Sequence, residues 1–459
     1  MLADDFDAPV PLARPLADVR GRIRAMQALP GAGAGVPDFR REVREVVVVG
    51  SSSRGGSSIF SEILRRSRRL LHFRAEVNPF FLINDQAWPE SGTGSDALAG
   101  VDDATLDAIG ADMAMDCGVA ADGLPDEASR WRFAVELACR LTLQWPACRF
   151  TPDELMADLA AVLATLEARY GWAPGEFRDA DLFHVKLLKR LRERHPQINP
   201  YYYDLDRALV HAFCPDARLP EGPPGDLVVE EPPFVTIRPW RLATAADLAS
   251  RSIVVKTPSN AYRMPFLRAL FPNARIRALH LTRNVAASVN GLYDGWRFHG
   301  FFAHAVDRPL AIGGYTDHFL APWSARWWKF DLPPGWQAFT HRRLEEVCAF
   351  QWRSAHSHLL DWLDAHPTDV LRLRFEHVLG SPEERQATFG KLGEWLHIGM
   401  DEPFEQAVAG SLPLVMSTER PRQRRWFARA DLLEPVLADP SNRVVMERLG
   451  YVLDPESWT

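Results

Sequence analysis

The 459-residue sequence has little cysteine: five residues, at positions 117, 139, 148, 214 and 348. None forms a CxxC pair, and none stands at metal-ligand spacing from a histidine. That excludes a zinc or dithiol motif and predicts buried free thiols in a reducing compartment. Long apolar runs are also missing, and none approaches the ~20 residues that cross a bilayer. The opening MLADDFDAPV is acidic and lacks the positive-then-apolar order of an export signal. Basic residues are not in excess either: Lys+Arg 53 stand against Asp+Glu 60, a net charge of −7. No general attraction to nucleic acid or anionic membrane follows, so any anion site must be built locally. Together these absences predict a soluble cytoplasmic protein with no nucleic-acid partner and no transmembrane segment.

What is present is the composition of a folded protein, 47% hydrophobic and 25% charged. Residues 45–64 read EVVVVGSSSRGGSSIFSEIL. The β-branched run 46–49 predicts a strand buried on both faces of a parallel sheet. After it, Ile59, Ile63, Leu64, Leu70 and Leu71 give one apolar helical face. A second short strand is expected at 70–76. Further strands are expected at 252–256, 276–281 and 370–375, with helix-compatible sequence between them. This recurrence predicts an α/β fold, a P-loop-like doubly wound parallel sheet flanked by helices. Residues 1–40 read as an N-terminal extension with one short helix. Residues 41–80 and 236–459 form the core, and 81–235 a large, mostly helical insertion, a candidate substrate lid. Within the insertion, helices are expected around 128–145, 180–194 and from 152 onward. The last has Thr151 as N-cap, Pro152 at the first helical position and Glu154 completing a capping box.

A strand, loop and helix in this order make an anion site, because the unpaired amides and the dipole of the helix start point at the loop. Gly55 and Gly56 let the backbone approach a ligand, Ser57 and Ser58 offer hydroxyls, and Arg54 adds a charged fork of donors. The usual P-loop lysine position is Gly56, so Mg²⁺-dependent nucleotide hydrolysis fits poorly. No GxGxxG is present, so the dinucleotide fingerprint is absent.

Residues 52–64, SSRGGSSIFSEIL, resemble the 5′-phosphosulfate loop of sulfotransferases that use 3′-phosphoadenosine 5′-phosphosulfate (PAPS), with Arg54, Gly56, Ser57 and Ser58 on the matching places. Ser53 stands where proline is common, and Gly55 where serine or alanine is. Three further segments resemble the family in its order. In IVVKTPSNAYRMPFLRALFPNARIRALHLTR, Lys256, Pro258, Phe271, Pro272 and Arg283 match, and VLRLRFEHVLG and the terminal RLGY follow. The resemblance implies that Arg54 and the amides of Gly55, Gly56, Ser57 and Ser58 bind the 5′-phosphosulfate. It further implies that Lys256 stabilises the bridging oxygen and that Arg283 binds the 3′-phosphate, with no metal demanded. The family's serine eight residues after that arginine is Gly291 here; Ser288, one turn away, is the expected substitute. Arg422, Arg424 or Arg425 would add a second clamp.

Cytosolic members carry a histidine two residues after the lysine, where this chain has Pro258. Other K-x-P members use a glutamate just after the second strand, which makes Glu76 the expected base, with His72, His299 and His304 as fallbacks. The aromatic stretch 291–336 holds five of the 15 tryptophans. It either walls an acceptor pocket or packs insertion against core. The expected activity is sulfuryl transfer to a hydroxyl or amine of a small-molecule, glycan or lipid-like acceptor. The alternatives are a kinase-like phosphotransferase and a nucleotide-binding protein without transfer activity.

Overall fold

The computed structural model describes residues 13–98, 100–366 and 369–458. Its centre is a four-stranded parallel sheet of β1 (Glu45–Gly50), β2 (Ile253–Lys256), β3 (Arg275–Thr282) and β4 (Asp369–Arg374), in the order β2-β1-β3-β4. The fold is α/β, with helices on both faces. The expected strands lie within a residue or two of these bounds. In β1 the alternation of side chains divides the valines between two cores. Val46 and Val48 join one apolar cluster, and Val47 and Val49 the cluster on the opposite face. A strand with no solvent face needs no polar positions, which is why the run is continuous.

Chain order fixes where a ligand can sit. From β1 the chain goes to its neighbour on one side, β2, and then to its neighbour on the other, β3. The loops leaving β1 and β3 therefore open a crevice at the carboxyl ends of the strands, the topological switch point of an open α/β sheet. Val49 pairs with Lys256 and Gly50 with His280, so the three strands end nearly level.

Helix α1 (Ser57–Leu64) follows the β1 loop. It is shorter than the apolar spacing predicts. The chain turns after Leu64, and Leu70 and Leu71 are buried outside the helix, Leu71 bridging to Ile253 of β2. The expected strand at 70–76 is only His72–Phe73, and it lies outside the main sheet. It pairs antiparallel with Cys117–Ala120, which pairs in turn with Trp240–Leu242. Helix α2 (Val285–Trp296) follows β3 and packs on α3 (Leu344–Ala365).

Residues 81–235 carry the helices Asp103–Ala114, Glu127–Gln144, Pro152–Tyr170, Ala180–Arg194 and Arg207–Phe213, besides the strand Cys117–Ala120. In Pro152–Tyr170 the Thr151 hydroxyl accepts from the Glu154 amide at 3.3 Å but donates to the Glu154 carboxylate at 2.8 Å, so the box closes through side chains. Residues 1–12 lie outside the described residues; helix Ala13–Gln27 packs Leu16, Val19, Ile23 and Met26 into the same cluster as the insertion. A buried ion network ties residues 116–230 to the segment that precedes them. Arg140 pairs with Asp116 at 2.9 Å and Glu230 at 2.7 Å, and Arg74 pairs with Asp116 at 3.1 Å. All five cysteines are free, four of them buried and Cys139 half-buried. No helix among the described residues is long and apolar enough to cross a membrane.

Candidate active site

The β1 loop begins the site. Arg54 adopts φ +60° and Gly56 φ +98°, so the chain makes two left-handed steps before α1 starts. Only glycine suits the second. A Cβ at Gly56 would stand less than 3.0 Å from three atoms of the buried Phe375 ring. Phe375 follows β4 directly, so the end of β4 is the floor on which the loop rests. Gly56, Ser57, Ser58 and Ile59, at the start of α1, line a cavity open to solvent.

Four segments far apart in sequence meet here. The Arg283 guanidinium lies 5.3 Å from the Phe375 ring centre and donates to the Arg54 carbonyl at 3.2 Å. The Glu376 carboxylate accepts from the Asn284 amide at 2.8 Å and side chain at 2.7 Å, fixing the turn that presents Arg283. The Tyr451 hydroxyl donates to Glu376 at 3.0 Å. The residues around β4 and the chain's tail are thus supports for the β3 arginine.

The cationic end of the cavity holds Arg54, Arg283 and Arg425. Burial pushes the Arg54 guanidinium down to about 10, and the charges of Arg425 and Arg283 add to that, only partly offset by Asp294 and Asp204. It stays charged at neutral pH. Burial also lowers Arg283, whose Nε has no hydrogen-bond partner. Clustered arginines with an unfilled donor are a cradle for an anion. Arg54 itself donates to the Met416 carbonyl, to the Thr418 hydroxyl at 3.3 Å and to the Gly291 carbonyl at 3.3 Å.

Gly291 lines the cavity, and its missing side chain has a physical reason. A Cβ there would lie 3.3 Å from the Arg54 Cβ, where the arginine crosses α2. Ser288 is fully buried, its hydroxyl without a partner, and it does not line the cavity. Ala287 and Asn290 do. Of the three arginines expected to add a clamp, Arg425 reaches inward, its side chain 15% exposed and paired with Asp294. Arg422 is at the rim, 65% exposed. Arg424 turns away to Glu456 at 3.1 Å and does not line the cavity.

Lys256, at the end of β2, donates to the Ser58 hydroxyl at 3.1 Å and pairs with the Glu76 carboxylate, so one ammonium links the α1 start to Glu76. Both side chains are largely buried against the cavity. The fallback histidines do not line it. Burial and Arg65 hold His72 down at about 3, and burial and Lys329 lower His299. His304 sits in a second cavity beside Asp96.

The far wall is apolar, formed by Phe301, Phe330, Pro232, Pro233 and Val235, with two further carboxylates, Glu231 and Asp331. Asp331 accepts from Ser53 and from Tyr262 at 2.7 Å, and burial raises it to about 6 despite those bonds. The five tryptophans of 291–336 are not in this wall. Trp296, Trp328 and Trp336 are fully buried, and the Trp336 indole donates to the Gly94 carbonyl at 2.9 Å. Trp336 thus packs on residues 81–235, Trp296 and Trp328 pack within the cluster of residues 285–458, and Phe301 and Phe330 between them face the cavity. Phe301, Phe330 and Asp331 belong to the stretch 291–336 expected to wall an acceptor pocket, though the sequence does not single them out. Glu231 carries no signal beyond its place beside Pro232–Pro233.

No family model matches the chain, and no curated protein matches it. Its path is similar to solved sulfotransferase structures. A sulfotransferase domain from the curacin biosynthetic pathway shares 9% identity at a TM-score of 0.37, over 90% of this chain and 99% of that one. Sulfotransferase STF9 from Mycobacterium avium shares 11% at 0.35, over 97% and 88%. Sulfotransferase STF1 from Mycobacterium tuberculosis H37Rv shares 9% at 0.34, over 97% and 94%.

Proposed function

We propose that this chain transfers a sulfuryl group from PAPS to a hydroxyl or amine of an acceptor with apolar surface. The observation that carries the reading is the linked set Ser58–Lys256–Glu76 at the foot of an arginine-lined cavity. An anion cradle, a cation for a leaving oxygen and a carboxylate for a proton lie in one connected array.

PAPS supplies a sulfuryl group already activated on a phosphate oxygen. Arg54 and the amides of Gly56, Ser57 and Ser58 would hold the 5′-phosphosulfate, and Arg283 with Arg425 the 3′-phosphate. Lys256 would neutralise charge growing on the bridging oxygen as the sulfur–oxygen bond breaks. Such stabilisation in a dry site contributes more than it does in water. Glu76 would take the acceptor's proton as the new bond to sulfur forms. The apolar wall, supplied by the end of the 81–235 segment and by Phe301 and Phe330, would seat the acceptor and keep water from competing. A small molecule, glycan or lipid-like compound with an aromatic or aliphatic face suits such a wall. The free thiols support a reducing compartment such as the cytoplasm.

The test is calorimetric titration with 3′,5′-adenosine bisphosphate and with ATP, each with and without Mg²⁺. The expected result is Mg²⁺-independent bisphosphate binding that weakens roughly 10–100-fold in Arg54→Ala and in Arg283→Ala, the loss of one charge-assisted contact each. Binding of ATP alone, and only with Mg²⁺, refutes the reading and favours a kinase-like phosphotransferase.

A further inference from the structure

Among the described residues, Glu231 is the one carboxylate that lines both the main cavity and the second cavity beside it. Its hydrogen bond in the structure is a long one, from the Asn78 side chain at 3.4 Å. Its position is nevertheless fixed, because the adjacent Glu230 is locked by Arg140 at 2.7 Å and Gln144 at 3.0 Å. Glu76, by contrast, is engaged by Lys256. A carboxylate held by the ammonium that must serve the leaving oxygen needs somewhere to pass its proton before the next turnover.

We propose that Glu231 is a second acid–base group of this site, and that with His304 it forms the route by which the acceptor's proton leaves the main cavity. The proposal rests on the sulfuryl-transfer reading for the source of that proton. The acceptor's O–H or N–H bond breaks, and a lone pair of that oxygen or nitrogen forms the bond to sulfur. The sulfur–oxygen bond to phosphate breaks with its pair going to the phosphate. The proton goes to Glu76 and then to Glu231, whose carboxylate becomes a carboxylic acid. It is released through His304 to water in the second cavity.

The groups facing Glu231 suit this role. Burial raises its carboxyl, His304 and Arg263 oppose that, and Glu76 and Asp96 add to it, leaving it at about 7. His304 lies 3.6 Å from Asp96, which Arg263 also holds at 3.2 Å. Burial lowers His304, but Asp96 and Glu231 outweigh it and the imidazole is raised. A raised carboxyl on the wall between the cavities thus faces a raised imidazole in the second one.

The experiment is infrared pH titration of the full chain, comparing wild type with Glu231→Gln and His304→Asn. A protonated-carboxyl band titrating near pH 7 is expected in wild type. Part of it should be lost in Glu231→Gln, while buried Glu136, also raised to about 7, keeps its share, and the Glu231 share should move upward by roughly one unit in His304→Asn, where a positive neighbour is lost. Glu231→Asp, which keeps a carboxyl, should restore the lost part. In parallel, PAPS consumption is followed against pH with 2-naphthol as acceptor and water always present. Glu231→Gln is expected to slow it about 10–100-fold and to remove the limb near pH 7, leaving only the one set by Glu76, with bisphosphate affinity unchanged. No Glu231-dependent band, a band indifferent to His304→Asn, or a limb near pH 7 retained in Glu231→Gln overturns the proposal. A wild type that shows the coupled titration yet binds no bisphosphate overturns the transfer reading and upholds the Glu231–His304 pair.

Discussion

Replacing Gly56 by alanine tests whether the β1 loop is held by contact with Phe375. Two costs are separable. The left-handed backbone, φ +98°, costs an alanine roughly 1–2 kcal/mol. The added methyl would stand under 3.0 Å from three ring atoms of a residue only 1% exposed, an overpacking of roughly 1–3 kcal/mol. Gly56→Ala is therefore expected to lose about 2–5 kcal/mol in urea unfolding, or to move the loop and weaken bisphosphate binding by an equivalent factor. Phe375→Leu removes the obstruction and leaves the backbone strain. The double variant should then be more stable than the sum of the single losses predicts, by roughly 1–3 kcal/mol. If Gly56→Ala stays within ~0.5 kcal/mol of wild type and binds bisphosphate normally, the loop is not seated on Phe375. Additive losses would mean that the strain lies in the backbone alone.

Three other outcomes follow from the geometry. Lys256→Ala should slow PAPS turnover roughly 100–1000-fold while changing bisphosphate affinity far less, and equal losses in both measured by calorimetry and initial rates would make Lys256 a binding residue only. Arg425→Ala should weaken bisphosphate binding and Arg424→Ala should not, because only the first faces the cavity; the same calorimetric titration decides it. Asp331, raised from its ordinary value near 4 to about 6, binds its proton more tightly folded than unfolded. Its contribution to stability is complete below pH ~4 and is lost as pH rises to about 6, so Asp331→Asn should flatten that part of a stability–pH curve measured by urea unfolding.

The sheet was readable from sequence because its strands are buried on both faces, which writes burial as runs such as 46–49. The end of α1 was not. Leu70 and Leu71 continue a helical period by coincidence, while tertiary pairing of Leu71 with Ile253 decides their conformation. For the site the same division holds. Arg54, Lys256 and Arg283 stand where apolar strands stop, and the switch-point topology brings strand ends together whatever their separation in sequence. Ser288 is favoured by helical spacing, but it is wholly buried and does not line the cavity, and Arg54 fills the space beside Gly291. Arg425, Phe301 and Glu231 arrive on irregular segments whose course depends on packing with distant residues, so no periodicity announces them.

The cavity's two ends come from different kinds of chain. The arginine-lined end is made of strand ends and the helices that start at them, all braced by Phe375, Glu376 and Tyr451. The opposite wall is made of residues 230–235 and 298–331, which contribute no strand to the main sheet. Only a few side chains join the two sets, among them Phe301, whose ring lies 5.1 Å from the Arg54 guanidinium, and Asp331, which accepts from Ser53. A laboratory seeking altered acceptor choice should diversify Val235 and Phe330 and leave Phe301, Asp331, Glu231 and the bracing trio alone, since the scaffold already separates most of what must stay constant from what is free to vary.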